Sequence, residues 1–437
     1  MLQKVKKLFA LDNPFRLFYH KVRAIIANIV YRFPSKWMVI VGVTGTNWKT
    51  TTSNIIAKWL RASWKKVFLF TTVNVIIGDK EYVNNTKMTS PDAFVLQRYF
   101  SEAKKAGCEI AIIETASHWI KMSRVWWLDY DIAVLTNITQ DHLDLHRTMK
   151  DYVDTKLRLF KDLISHSRKK WIKKSWIINI DSDYSELFLQ ETYDSLYTYW
   201  KWHWAWLTAK NVRIEDNLTK FELKLPWAII NIETHLKWNF NIENILAAIW
   251  VFVSFWIEAE KIPEIVKSID WVPWRMEMVK NTIGADIIID YAHTPDALEK
   301  VLSTLKEVWY NKIITLFWAT WDRDKIKRPI MWEIVSKYSD VVILTQDDDY
   351  TENTELILKD VIPGVNRVEW DDFYVISTRK EAIELGLSLL EKGDLLLVAW
   401  KWDEHVLVTN SWPIVWHDKT IVKDILNEIE DNKIIVN

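Results

Sequence analysis

The spacing of apolar positions changes near residue 37. Through "NPFRLFYHKVRAIIANIVYRF" apolar side chains recur at helical spacing with basic residues between them. This predicts an amphipathic helix ended by Pro34 and Ser35. Such a helix docks on the next domain or touches a membrane surface. From Met38 the pattern becomes short apolar runs alternating with helical stretches. "MVIVGV" reads as a buried strand, a polar loop follows, and "TTSNIIAKWL" reads as a helix. Strands recur at "CEIAIIE", "DIAVLTN" and "WIINI". A second series after "WVPWRMEMV" holds "ADIIIDYA", "KIITLFWAT", "DVVILT" and "DLLLVAW". The alternation predicts an α/β protein with mainly parallel sheets covered by helices. The expected domains are an N-terminal basic helix (1–37), a central domain (38–270) and a C-terminal Rossmann-like domain (271–437).

Composition narrows the class. Net charge is −1, so nothing global points to nucleic acid or to a membrane. The single cysteine, Cys108, excludes a disulfide framework and fits a reducing compartment. The early run "AIIANIV" is too short to span a bilayer, and no leader pattern opens the chain. A cytoplasmic protein without stable membrane insertion is expected. One count is abnormal: 28 Trp against 8 Gly. Average usage predicts roughly thirty glycines in a chain of this length. The tryptophans also stand in turn-like contexts that select glycine, including Trp48, Trp274, Trp318, Trp321, Trp400 and Trp402. The expectation is a codon decoded as Gly in the cell and rendered here as Trp, with a few tryptophans genuine. A protein truly rich in Trp is the alternative.

The loop "TGTNWKTTT" lies between a predicted strand and a predicted helix, the setting of a phosphate-binding loop. With Gly at position 48 it reads TGTNGKTTT. Backbone N–H groups from Gly45 to Thr51 and the helix N-terminus would hold phosphates. Lys49 would reach the β/γ-phosphates, and Thr50 would bind Mg²⁺. Val43 occupies the usual first Gly position of the common pattern, with Gly42 and Gly45 flanking it.

With that loop restored, the chain resembles the Mur ligase family of ATP-dependent amide-forming enzymes. "ETASHWIKMSR", "TNITQDHLDLH", "DYVDTKLRLF", "NFNIENILAAI", "VPWRMEMV", "IIDYAHTPDALEKVL", "FWATWDRDKIKRPIMWE" and "AWKWDEH" resemble the family's segments in order. The resemblance runs from about residue 38 to 410 and is strongest to the muramoyl-tripeptide synthetases. It implies that a carboxylate is phosphorylated by ATP to an acyl phosphate, which an amine then attacks. Such chemistry needs Mg²⁺ and positive side chains to offset the charge on the phosphoryl group. By resemblance Thr50, Glu114, His142 and Lys156 serve the metal, with Lys156 carbamylated, and Lys49, His142 and Lys156 are catalytic. Read alone, Glu114 is equally a helix-capping acid, His142 a structural histidine and Lys156 an exposed helix lysine.

The resemblance places Thr46, Asn47, Asn137, Asn241, Asn244, Arg275 and Asp290 near ATP. Asn241 and Asn244 are expected in the central domain's last helix, Arg275 at the domain boundary and Asp290 on the first strand of the C-terminal domain, which implies a nucleotide at the interface of the two domains. Taken singly these are a capping Asn, a surface Arg or a strand-end Asp. His293 is equally a helix-start residue or a ligand contact. Thr89, Ser90 and Arg124 match positions that contact the muramoyl-peptide, while Ala116 replaces a serine there. Arg323 and Glu404 would hold the incoming amino acid. Family members that add diaminopimelate carry Asp-Asn-Pro-Arg, where this chain has "DDDY", Asp347 to Tyr350. Acids at Asp347 and Asp348 favour a cationic side chain, hence lysine; a solvated acidic turn is the alternative. The family's usual UDP-binding N-terminal domain has no counterpart in the 37 residues before Met38, so UDP is expected to be bound differently, by a partner, or not at all. Two other functions remain: a folylpolyglutamate synthase-like ligase, against which "DYAHTPDALE" and "KRP" argue, and a non-catalytic relative whose phosphate space is filled by Trp48.

Overall fold

A computed structural model describes residues 14–84, 91–140, 143–165, 168–169, 172–190, 194–200, 205–215, 218–236, 239–269, 276–290, 292, 295–306, 308–318, 327–345, 371–399, 406–407 and 414–435. The chain divides into two compact units, Met1–Asp270 and Trp271–Asn437.

The first unit opens with helix α1 (Pro14–Val30), which stops short of Pro34; Pro34–Trp37 forms a separate 3₁₀ turn. The unit is then built on one eleven-stranded sheet. In chain order it contains β1 (Val39–Thr44), helix α2 (Lys49–Ala62), β2 (Val67–Phe70), β3 (Asn74–Ile77), β4 (Lys80–Val83), α3 (Ala93–Lys105), β5 (Ile110–Glu114) and α4 (Ser117–Lys121). There follow β6 (Ile132–Leu135), α5 (Leu143–His146), α6 (Met149–Ser165), β7 (Ser175–Asn179), α7 (Ser185–Leu189), β8 (Ser195–Trp200), β9 (Leu207–Glu215), β10 (Leu218–Lys224), β11 (Ile229–Thr234), α8 (Asn239–Ser254) and α9 (Ile262–Lys267). The strand order is β11-β10-β9-β8-β7-β6-β1-β5-β2-β3-β4. The strands from β9 to β2 run parallel, and antiparallel strands close both edges. Strand β1 is buried throughout, as its unbroken apolar run requires of a central parallel strand. The chain passes from β5 on one side of β1 to β6 on the other. Their C-terminal ends therefore form a topological switch point, where α/β sheets bind ligands.

A buried charge cluster ties the opposite ends of β1 and β6 together. Asp131 accepts hydrogen bonds from Ile40 N at 2.9 Å and Lys174 Nζ at 3.2 Å, and pairs with Lys169. Burial pushes the Lys169 ammonium below its usual range, and Asp131 holds it up.

In the second unit β12 (Glu277–Met278), β13 (Asp286–Asp290), α10 (Pro295–Lys306), β14 (Ile313–Phe317), α11 (Lys327–Tyr338), β15 (Val341–Thr345), β16 (Phe373–Ile376), α12 (Arg379–Ser388), β17 (Leu395–Ala399) and α13 (Asp418–Ile435) are the main elements. The sheet order is β12-β13-β17-β14-β15-β16, parallel except for β12. Asp290 thus ends the unit's second strand, not its first. Likewise Asn241 and Asn244 lie on α8, which α9 follows, so α8 is not the last helix of its unit.

The tryptophans fall into distinct environments. Trp48, Trp64 and Trp256 take left-handed backbone angles, φ 66°, 62° and 60°. That region costs a non-glycine residue about 1–2 kcal/mol. Trp64, Trp256 and Trp309 are almost wholly exposed. Among the buried ones, the indole N–H of Trp59, Trp119, Trp318 and Trp332 meets no acceptor among the described residues. By contrast Trp250 donates to Thr198 O at 2.9 Å and Trp416 to Asp418 Oδ1 at 2.8 Å.

Candidate active site

The chain leaves β1 through Gly45, where only glycine fits. A Cβ there would lie 1.9 Å from Thr136 Oγ1 and 3.0 Å from Asn137 O. This close approach lets the loop fasten to the end of β6. Thr46 N donates to Asn137 O at 2.8 Å, and Asn47 N donates to Asn137 Oδ1 at 2.9 Å. Thr136 Oγ1 donates to Asn47 O at 2.7 Å. Thr46 Oγ1 accepts from Thr139 N at 2.9 Å and lies 3.1 Å from the Tyr152 hydroxyl. The loop then enters α2 at Lys49. The first N–H groups of a helix lack partners within it, so this end is an anion-binding feature. Thr50 and Thr51 are buried in that first turn.

Trp48 immediately precedes the first residue of α2. The ring is buried and stacked flat on Phe240 of α8, with centroids 4.1 Å apart and planes 4° from parallel. It therefore sits against the helix that carries Asn241 and Asn244. Asn244 Oδ1 accepts from Thr52 Oγ1 at 2.9 Å, joining α8 to α2, and its Nδ2 donates to Asn241 Oδ1 at 3.3 Å.

Glu114 ends β5 and is no helix cap. Its Oε2 accepts from Thr50 Oγ1 at 3.0 Å and from Thr72 N at 2.9 Å. Lys156 is not an exposed helix lysine: it is 1% exposed, with Nζ donating to Gly45 O at 2.6 Å and lying 4.4 Å over the Tyr152 ring. Lys49 Nζ donates to the next carbonyl, Thr46 O, at 2.6 Å. Two ammonium groups thus sit on consecutive carbonyls of one loop, beside a helix N-terminus, which concentrates positive potential there. A hydroxyl and a carboxylate are the hard oxygen donors that Mg²⁺ takes, so Thr50 and Glu114 fit that ion. The Lys156 amine as it stands is a cation and fits it only once converted to an anion. His142, the fourth expected ligand, lies outside the described residues.

Several residues at this end of the sheet have a role that sequence reasoning missed. Tyr152, Thr136 and Thr72 hold the loop and Glu114; the i, i+4 pair of Tyr152 and Lys156 on a predicted helix was the available signal. His146 is fully buried, with Nε2 3.0 Å from Ser117 Oγ and Nδ1 3.5 Å from Thr155 Oγ1. Burial, aided by the Lys121 charge, lowers its pKa to about 4. Arg23 of α1 grips Asp92, two residues after Ser90, through Nε at 3.1 Å and Nη2 at 2.9 Å. Burial pushes the Arg124 guanidinium down and the nearby Asp92 carboxylate opposes this. In the second unit Asp290 accepts from Met276 N and Ala292 N, both at 2.7 Å, and so fixes the backbone next to Arg275. Thr89, Ser90, Arg275, His293, Arg323, Asp347, Asp348 and Glu404 lie outside the described residues.

Residues 43–252 match the family description Mur ligase middle domain, and residues 274–400 match Mur ligase, glutamate ligase domain. The UDP-N-acetylmuramoyl-L-alanyl-D-glutamate–2,6-diaminopimelate ligase of Bacillus cereus is 34% identical over 404 residues, 92% of this chain and 80% of that protein. A ligase of the same name from Clostridium acetobutylicum is 32% identical over 411 residues, 94% of this chain and 82% of that one. A solved structure of a diaminopimelate ligase so named matches with a TM-score of 0.65 at 27% identity, over 94% of this chain and 83% of that chain. Mycobacterium tuberculosis folylpolyglutamate synthase, solved with ADP and AMPPCP, shares the fold with a TM-score of 0.69 at 13% identity, over 87% of this chain and 92% of that one. With both domain descriptions matched and relatives aligned over most of its length, the chain belongs to the Mur ligase family.

Proposed function

We propose that this ATP-dependent, ADP-forming amide ligase of peptidoglycan synthesis joins a free amino acid to the terminal carboxylate of a UDP-N-acetylmuramoyl-dipeptide-like substrate. The acceptor carboxylate oxygen attacks the γ-phosphorus of ATP, and the bond from that phosphorus to the bridging oxygen breaks to release ADP. The amine nitrogen then attacks the carbonyl carbon of the acyl phosphate. Inorganic phosphate leaves with the C–O electron pair, and the nitrogen loses a proton.

The residues divide this work. The N–H groups at the start of α2 receive the phosphates, and Lys49 turns from Thr46 O toward the β/γ-phosphates. Thr50 and Glu114, with His142 and a carbamylated Lys156, would hold Mg²⁺. When bound, that ion offsets charge on the transferring phosphoryl group. Asn137 fixes the loop. Asn241, Asn244, Arg275 and Asp290 serve the nucleotide. Thr89, Ser90 and Arg124 hold the muramoyl-peptide, and Arg323, Asp347, Asp348 and Glu404 hold the amino acid. The observation that carries the reading is the Thr50–Glu114 hydrogen bond at 3.0 Å beside a lysine held on Gly45 O.

The relatives are named for diaminopimelate, but the acidic "DDDY" stretch favours lysine here. The test is ADP release from ATP with the muramoyl-dipeptide and a panel of amino acids, for the chain and for Glu114→Gln. Lysine-dependent turnover, lost in Glu114→Gln, is the expected result. Use of diaminopimelate with none of lysine overturns the amino-acid assignment. Undiminished turnover in Glu114→Gln overturns the metal assignment.

A further inference from the structure

Helix α1 has two apolar faces, and the other described residues cover one of them. Ala24 and Ala27 are buried and pack with Ala93 and Phe94 of α3, and the Arg23–Asp92 pair fixes this contact. On the other face Phe15 (79% exposed), Phe18 (67%), Ile26 (46%) and Ile29 (58%) stand in solvent. At ~100° per residue these four, with Val22 among them, fall within an arc of about 80°, centred opposite Ala24. A sequence that spends five apolar residues on the outward stripe of a surface helix marks a contact surface.

Charge says what covers it. Residues 1–37 carry eight Lys and Arg against one acid, Asp12. The whole chain has 57 basic and 58 acidic residues, so 49 basic and 57 acidic remain beyond residue 37. The positive charge is therefore gathered on the segment bearing the stripe, and α1 itself contains no acid. Arg16 and Lys21 lie toward the covered face, Lys21 with Nζ 3.7 Å over the Trp126 ring, while exposed Arg32 and Lys36 follow the stripe's C-terminal end. A second copy would set cation against cation. An apolar stripe on a convex helix, followed by exposed basic residues in a segment of strong positive charge, suits a fluid anionic surface.

We propose that α1 is a peripheral membrane-binding helix: its stripe enters the headgroup region of an anionic bilayer, with the basic residues on lipid phosphates and the Ala24–Ala27 face still on α3. No described helix is long and apolar enough to cross a membrane, so the contact is interfacial.

The full chain is sedimented with vesicles of phosphatidylcholine alone and of phosphatidylcholine with phosphatidylglycerol, at low and high salt. Expected is binding to the anionic vesicles at least tenfold tighter than to the neutral ones, weakened by salt. The exposed-face variant Phe15→Ser/Phe18→Ser/Ile26→Ser/Ile29→Ser should lose it while its thermal transition stays in place. The charge variant Arg32→Glu/Lys36→Glu, which leaves the stripe intact, should lose the anionic preference. No sedimentation with either vesicle overturns the proposal, as does binding unchanged in both variants. A dimer seen by light scattering without lipid and dispersed by the serine variant assigns the stripe to a second copy and also overturns it.

Discussion

Replacing Trp48 by glycine should move stability and nucleotide affinity in opposite directions. In the ligand-free protein the indole is buried and stacked on Phe240. Deleting it forfeits about 1.5–3 kcal/mol of burial and about 0.5–1.5 kcal/mol of stacking. Glycine returns about 1–2 kcal/mol by accepting φ 66° without strain. The net is a ligand-free protein less stable by about 0–3.5 kcal/mol, centred near 2, read from urea midpoints. Nucleotide binding reverses the sign. Under the proposed nucleotide role of Asn241 and Asn244, ATP displaces the ring packed against their helix, at a cost of about 2–4 kcal/mol. At 1.4 kcal/mol per decade the Trp48 form should bind Mg·ATP roughly 30- to 1000-fold more weakly than Trp48→Gly. Isothermal titration of both forms gives the ratio directly. Affinities within threefold of each other would refute the reasoning, because the indole would then cost the nucleotide nothing where it sits.

Mass spectrometry of the protein from its own cell should show glycine at positions 48, 64 and 256, whose φ is positive, and tryptophan at 250 and 416, whose indole N–H groups are bonded. Tryptophan at all three left-handed positions would remove the decoding hypothesis. Lys156→Ala should lower turnover at least ~100-fold, with part restored by added acetate or propionate, which returns a carboxylate near Gly45 O; equal rescue by chloride would count against carbamylation. Asp131→Asn leaves Lys174 and Lys169 facing a neutral partner and should cost about 3–5 kcal/mol in urea unfolding, with an unchanged KM for ATP. His146 titrates near its ordinary 6.5 when unfolded and at about 4 when folded, so the unfolded chain binds more protons between those values. Stability should therefore fall on acidification from pH 7 to pH 4, by about 3 kcal/mol from this group. His146→Gln should flatten that slope, and an unchanged slope would exclude His146 as its source.

Much of the fold was legible because buried parallel strands write themselves as unbroken apolar runs. "MVIVGV", "CEIAIIE" and "DIAVLTN" became the three strands whose C-terminal ends meet at the switch point, and the residues that end or follow each run are those that converge: Gly45 to Thr50, Glu114 and Asn137. Strand identity is a local property, so it can be read from a local pattern. Contacts that depend on tertiary closeness could not be. Nothing near Lys156 in the chain says that its ammonium will lie on Gly45 O, 111 residues away, and a helix lysine by itself reads as exposed. The Asp131 cluster and the Arg23–Asp92 tie escaped for the same reason. Trp48 shows the opposite limit. Its position between strand and helix was enough to require glycine-like backbone, and φ 66° agrees, yet the path of the indole depended on Phe240, 192 residues later in the chain. The backbone demand is set by the loop's own short span and survives any packing, while the side chain goes wherever apolar surface is open. A residue can therefore satisfy the fold by packing and still oppose the function of its loop. That is why stability and ATP affinity must both be measured at position 48: the ring that stabilises the ligand-free protein is the one whose displacement the titration reads.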